Sequence, residues 1–328
     1  MLKKTGVIAA SLLLCAALLG SACAGPQAAL EATPTPLATQ TPAPAQTYTF
    51  QDALGHEVTV AYGPERVVAL MGSYAETWLL AGGKLVGTTE DAISERDLEL
   101  DADTKVIGQV KTPDVEKVLE LDPDFVILSP DIEGHLKLDE LLGKAGVSHA
   151  YFKVEEFEEY LAMLKICTEL TGREDLYVQN GTAIAEQIDN VKMQAALSSY
   201  RPSVLFVRAL STKAKAKAKD NFVCTMLDEL GCDNIAARHD SLLEDLSMEE
   251  IITEDPDFIF VVTMGEEQAA LDALKAGIQS NPAWNNLSAV KNGKYIILDK
   301  DLFHYKPNAR WGESYETLAK YLYPQLFQ

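Results

Sequence analysis

Twice in this chain the same four-residue turn ends a helical segment and starts a strand, and that recurrence limits the folds open to it. Asp122-Pro123-Asp124-Phe125 leads into Val126-Ile127-Leu128, and Asp255-Pro256-Asp257-Phe258, 133 residues further on, leads into Ile259-Phe260-Val261. Each turn follows, at one offset, a glutamate that opens a short helix: Glu116 in the first copy and Glu249 in the second. Proline ends a helix because it lacks the N–H and clashes with the preceding turn, and the apolar run that follows reads as a buried strand. One such turn is a commonplace loop. Two in the same register, each inside a similar series of strands and helices, argue for two related lobes.

The surrounding pattern is βαβ. Two short β-like runs in residues 48–60, separated by residues 52–56, predict an opening hairpin. Residues 66–70 are continuously apolar, residues 73–80 have helical spacing and stop at Gly82-Gly83, and residues 84–88 are strand-like again. Continuous apolar strands alternating with helices suit a parallel sheet covered on both faces. Pro202 begins the second lobe as Arg66 begins the first. Between the lobes, residues 174–198 read as one long helix, with Leu176, Ile184, Ile188, Val191 and Ala195 on its apolar face and Gly181 as an internal blemish. Such a helix is about 38 Å long and would act as a stiff strut. The predicted class is α/β: two Rossmann-like lobes with mainly parallel sheets, joined by one rigid helix. Its divisions are a signal peptide at 1–22, a linker at 23–47, lobes at 48–173 and 200–328, and the joining helix at 174–199.

The first residues read as an address. Lys3 and Lys4 precede an apolar run over residues 7–19, then Gly20, Ser21, Ala22 and Cys23. Cys23 after Ser21-Ala22 resembles the lipobox of bacterial lipoproteins, although Gly20 stands where that motif prefers Leu, Val or Ile; cleavage after Ala24 is the competing reading. Residues 25–46 are rich in Ala, Thr, Pro and Gln with one charge, Glu31, and form an extended tether or a mere spacer. Lys plus Arg number 28 against 49 Asp plus Glu, a net charge of -21, and removing the two signal lysines makes 26 - 49 = -23. That sign argues against nucleic acid as a partner. Of five cysteines, Cys167, Cys224 and Cys232 remain after Cys15 and Cys23, and an odd number with no zinc-ligand spacing reads as buried free thiols.

With these motifs on the page, the sequence resembles the substrate-binding proteins of ABC importers for iron siderophores, haem and cobalamin. The resemblance spans roughly residues 48–324. It rests on Arg66-Val67-Val68-Ala69-Leu70 with Glu76 and Gly82-Gly83, on Val106-Ile107-Gly108-Gln109-Val110 before Glu116, on the repeated turn, and on Asn308-Ala309-Arg310-Trp311 through Tyr323-Pro324. It implies a monomer that holds its ligand between two lobes and meets arginines of a transmembrane permease dimer, driven by a cytoplasmic ATPase, through one glutamate on each lobe. The matching positions are Glu116 and Glu249. Their plainer reading is helix stabilisation: Asp114 and Ser247 look like N-caps, Ser247 with Glu250 makes a capping box, and an acid in the first turn favours the helix dipole. The implied location is extracytoplasmic, with Cys23 lipid-anchored to the outer face of the membrane, or periplasmic.

Ligands in open α/β sheets gather beyond the carboxyl ends of the strands. That rule selects Met71 and Tyr74, Lys153, Arg208, and the segment holding His304, Tyr305 and Arg310. Lys213, Lys215, Lys217 and Lys219 alternate with alanine in a predicted loop, able to draw in an anionic chelate or simply solvated. His304 and Tyr305 are candidate haem-iron ligands, with Met71 or Tyr74 opposite, or else hydrogen-bonded surface residues. Arg310 either holds an anionic ligand group or anchors the last helix through Glu313 or Glu316. No resident cofactor and no catalytic residue is implied; the ligand itself is a ferric siderophore, haem or a corrinoid. The rivals are a chelate sensor and an exported hydrolase, but Met71 replaces the first glycine of G-x-S-x-G and His56-Glu57 lacks the second histidine of H-E-x-x-H.

Overall fold

The computed structural model describes residues 46–327. The signal, Cys23 and nearly all of the linker lie outside the described residues. The chain there opens as the predicted hairpin, β1 (Thr47–Gln51) antiparallel to β2 (Glu57–Ala61). Asp52 shapes its turn by accepting the backbone N–H groups of Leu54 and His56.

Strands β3 (Val67–Ala69), β4 (Leu85–Thr88) and β5 (Lys105–Val106) follow, then a two-stranded hairpin, β6 (Gly108–Gln109) and β7 (Thr112–Pro113), then β8 (Phe125–Leu128) and β9 (His149–Tyr151). They build a parallel sheet in the order β5-β4-β3-β8-β9. Every residue of β3 and β8 is buried, as a doubly covered parallel strand requires. The second sheet holds β10 (Ser203–Ala209), β11 (Ala214–Ala216), β12 (Asp233–Asn234), β13 (Phe258–Thr263) and β14 (Tyr295–Ile297) in the order β11-β10-β13-β14, with β12 also against β10. Only β11 runs antiparallel.

The two turns have the same surroundings. Phe125 pairs in register with Val67, and Asp124 accepts the backbone N–H of Arg66, the residue before Val67. Phe258 pairs with Val204, and Asp257 accepts the backbone N–H of Ser203, the residue before Val204. Each turn thus ties its own strand to the strand that opens its half. Asp122 and Asp255 take left-handed backbone, φ 44° and 41°, a conformation that short polar side chains tolerate.

The joining segment is helical over Glu174–Tyr177 and Ala183–Ala195, and between them Val178–Thr182 forms a π turn. The blemish at Gly181 has a packing cause. A Cβ there would stand 3.1 Å from Leu161 on the neighbouring helix Phe157–Thr171. The widened turn frees the Asn180 carbonyl to accept the buried Tyr160 hydroxyl at 2.8 Å. Ile184, Ile188 and Val191 then join one apolar cluster that runs from Phe125 and Trp78 in the first half to Phe206, Phe260 and Trp311 in the second.

Two local expectations change. The predicted loop over residues 213–219 is strand at its centre: β11, Ala214–Ala216, lies on the edge of the second sheet, with Lys215 exposed and Ala216 buried, a strand's period of two. Ser247 caps its helix by accepting the Glu250 N–H, but Glu250 turns its carboxylate to His239 Nδ1 at 3.2 Å instead of closing the capping box. Cys167, Cys224 and Cys232 are free and buried.

Candidate functional site

A cavity of about 210 Å³ opens between the halves. Its wall combines Glu155 and Glu156, beyond the carboxyl end of β9, with Arg208 near the end of β10. Lys219, Asp220 and Phe222 lead into the helix Phe222–Glu229, and His304 and Lys306 follow the short helix Lys300–Phe303. This is where open α/β sheets gather ligands. A larger hollow, about 600 Å³, lies within the first half around Ile132, Leu138 and Leu141, and it brings no residue of the second half to bear.

Formally the wall carries three cations and three acids. Pairing separates them. Glu155 lies 3.3 Å from Lys153, Glu156 accepts the Thr225 hydroxyl at 3.0 Å and caps the helix Phe157–Thr171, and Asp220 is bonded to Lys217. Arg208, Lys219 and Lys306 are not ion-paired among the described residues. Burial lowers the Arg208 guanidinium and the Lys306 ammonium from their ordinary values, the cost of charge held without a close counter-ion. Burial, then Arg208 and Lys300, lowers the His304 imidazole to about 4, so it faces the cavity neutral at pH 7. The arrangement presents cationic donors and a neutral imidazole to whatever enters, which is the chemistry of anion recognition.

Of the residues singled out in the sequence, the structure brings Arg208 and His304 together on this wall. Lys215 is the direct cross-strand partner of Arg208, but it is exposed and off the cavity. Lys219, four residues on, takes the place on the wall. Lys153 touches the site only through Glu155. Tyr305 lines a neighbouring hollow with Arg310, Glu95 and Asp301, while its ring stays against that of His304, centroids 4.9 Å apart. Arg310 donates from Nε and Nη2 to Glu313 at 2.7 and 3.0 Å, anchoring its own helix. Tyr74 is withdrawn into the core: it is 1% exposed and donates its hydroxyl to the Phe152 carbonyl. Met71 packs, half-buried, against the same core.

The sequence pattern did not single out Glu155, Glu156 or Lys306 as site residues, and it offered Lys219 only as one of four alternating lysines. Lys306 was adjacent to a chosen pair, yet which neighbours in a short turn point inward is a matter of packing. Glu116 and Glu249 both stand exposed in the first turn of their helices, Val115–Glu120 and Met248–Glu254, and neither is ion-paired among the described residues.

The sequence profile described as "Periplasmic binding protein" matches residues 67–302. The chain is 25% identical to YvrC, an uncharacterized ABC transporter substrate-binding lipoprotein of Bacillus subtilis strain 168, with 100% of both chains covered. It is also 25% identical to the Fe(3+)-citrate-binding protein YfmC of that organism, over 80% of this chain and 81% of that one. Among solved structures, the siderophore-binding protein BauB, bound to a complex of two acinetobactin molecules and ferric iron, superposes with a TM-score of 0.68 at 19% identity. The match covers 86% of this chain and 99% of that chain, a likeness of fold.

Proposed function

Because the chain belongs to the periplasmic binding protein family, we propose that it is the substrate-binding component of an ABC importer and that its cargo is an anionic ferric chelate. The role is capture and delivery, without catalysis. The observation that carries the choice of cargo is the interlobe wall, where Arg208, Lys219 and Lys306 have no carboxylate partner among the described residues, while Glu155 and Asp220 pair with lysines and Glu156 is hydrogen-bonded to Thr225. An anionic chelate supplies the missing counter-charge. The names of YfmC and BauB, which concern ferric citrate and a ferric siderophore, support the same class of cargo.

A cavity of about 210 Å³ is below the range of about 300–1,000 Å³ usual for small-molecule sites, so the exposed side chains of Lys219 and Glu155 swing outward as the chelate enters. Delivery uses Glu116 and Glu249, one on each half, to meet cationic groups of a permease dimer whose ATPase lies on the cytoplasmic side. Such rim contacts set orientation more than affinity. The apolar run of residues 7–19 and Cys23, together with the naming of YvrC as a lipoprotein, support a chain exported and lipid-anchored outside the cell.

The test is a thermal-shift panel of ferric citrate, ferric catecholate and hydroxamate siderophores, haem, cobinamide and cobalamin. A cargo at about a hundred times its Kd adds about 2.7 kcal/mol of stability, a rise of several degrees. An anionic ferric chelate should give that rise, diminishing with salt. A shift produced only by cobinamide or cobalamin would overturn the choice of cargo.

A further inference from the structure

Lys306 reaches the cavity from a segment that the other half of the protein holds. Arg96, in the first half and 10% exposed at its side chain, donates from Nη2 to the Lys306 carbonyl at 2.6 Å and pairs through Nη1 with Glu76. Two residues on, Asn308 is gripped as well. It is 1% exposed, and its Nδ2 donates to the Ser73 carbonyl and to Glu76 Oε2, both at 2.9 Å. Its backbone is left-handed, φ 49°, which asparagine tolerates better than most residues. Glu76 therefore accepts from both halves, and Arg96 bridges it to the backbone that bears Lys306. Along that backbone His304 and Lys306 line the basic cavity, and Tyr305, its ring against that of His304, lines the neighbouring hollow.

We infer that Arg96 is a positioning residue for the anion site: it clamps the Lys306 carbonyl to Glu76 on the opposite half and thereby keeps the Lys306 ammonium on the cavity wall. This rests on the reading of that cavity as the site of an anionic chelate. Without the clamp, the flexible lysine stem carries its ammonium toward solvent, where hydration is better. Arg96 does not itself line the basic cavity.

Two measurements test this. The first needs no cargo: acetylation of the full chain by an activated acetate ester, with the modified lysines quantified by peptide mapping. Lys306 should react slowly in the wild type, and Arg96→Ala should raise its rate about tenfold, the loss expected of one charge-assisted hydrogen bond, while Lys215 and Lys294 stay within about twofold. Arg96→Lys, which can make only one of the two bonds, should fall between. Glu76→Gln keeps the acceptor oxygen without the charge and serves if Arg96→Ala folds poorly. An unchanged Lys306 rate in folded variants, or an equal rise at every lysine, would overturn the inference.

The second measurement uses ferric citrate as the probe. Arg96→Ala and Lys306→Met should each weaken its binding about tenfold, and the double variant should be no weaker than Lys306→Met alone, because Arg96 acts through Lys306. Additive losses would overturn that route. Failure of the wild type to bind any chelate of the panel would count against the proposed cargo, and the acetylation result would still decide the positioning role.

Discussion

Replacing Arg208 with methionine should move stability and binding in opposite directions. In the ligand-free protein the guanidinium is half-buried at the end of β10, without an ion-pair partner among the described residues. The acid whose charge it feels, Asp220, is already bonded to Lys217. Methionine keeps the apolar stem and removes the charge. The relief should be about 1 kcal/mol, since part of the group remains hydrated, and should raise Tm by about 2–4 °C. The same change removes a charge-assisted hydrogen bond to an anionic cargo, worth about 1.5–3 kcal/mol, so affinity should fall about 10- to 150-fold. Urea unfolding of the ligand-free protein measures the first quantity, and titration with ferric citrate at low and high salt measures the second, with a shallower salt dependence expected in the variant. A variant that is less stable and binds as well as the wild type would show Arg208 to be a structural residue, and the anion-site reasoning would fail.

Three further outcomes follow from the geometry. Replacing both Glu116 and Glu249 with alanine should abolish uptake in cells and leave chelate affinity unchanged, with a stability loss of at most about 1 kcal/mol per site from the helix dipole; weakened chelate binding would refute the docking role. For His304, lowered from 6.5 to about 4 by burial with Arg208 and Lys300 nearby, the unfolded chain binds a proton between those values that the folded chain refuses. Its contribution is therefore complete above about pH 6.5 and is lost as the pH falls toward 4, by up to about 3 kcal/mol; urea midpoints across that range should show His304→Gln reducing the slope, and an unaltered slope would contradict the assignment. Asp124→Ala and Asp257→Ala each delete a carboxylate that accepts two hydrogen bonds from the start of a strand, and should cost about 2–3 kcal/mol apiece in denaturant unfolding. If one costs nothing, the two turns are not equivalent.

How much of this was legible beforehand varies with the range of the interactions involved. The Asp-Pro-Asp-Phe turns were readable because their chemistry is local: a proline that cannot continue a helix, an aspartate that tolerates left-handed backbone, and an apolar run just beyond. The interruption at Gly181 was visible, but its meaning was not, since the π turn depends on Leu161 and Tyr160 in another helix. The Lys-Ala alternation of residues 213–219 had a strand's period, yet its charge suggested a loop; pairing with β10 made its centre, Ala214–Ala216, an edge strand. Tyr74 followed a strand end, as ligand-binding residues do, but Phe152, just past β9, supplied a carbonyl for its hydroxyl and drew it inward.

Local rules of chain stiffness and apolar burial were enough to specify an α/β chain of mainly parallel strands, since each strand and turn signal is complete within a dozen neighbouring residues. Packing across the halves made the remaining choices: Lys219 rather than Lys215 on the wall, His304 on the basic cavity with Tyr305 on the hollow beside it, and Lys306 held from the other half by Arg96. Arg96 and Lys306 are separated by 210 residues, and a hydrogen bond that short in space but that distant along the chain leaves no periodic trace in sequence.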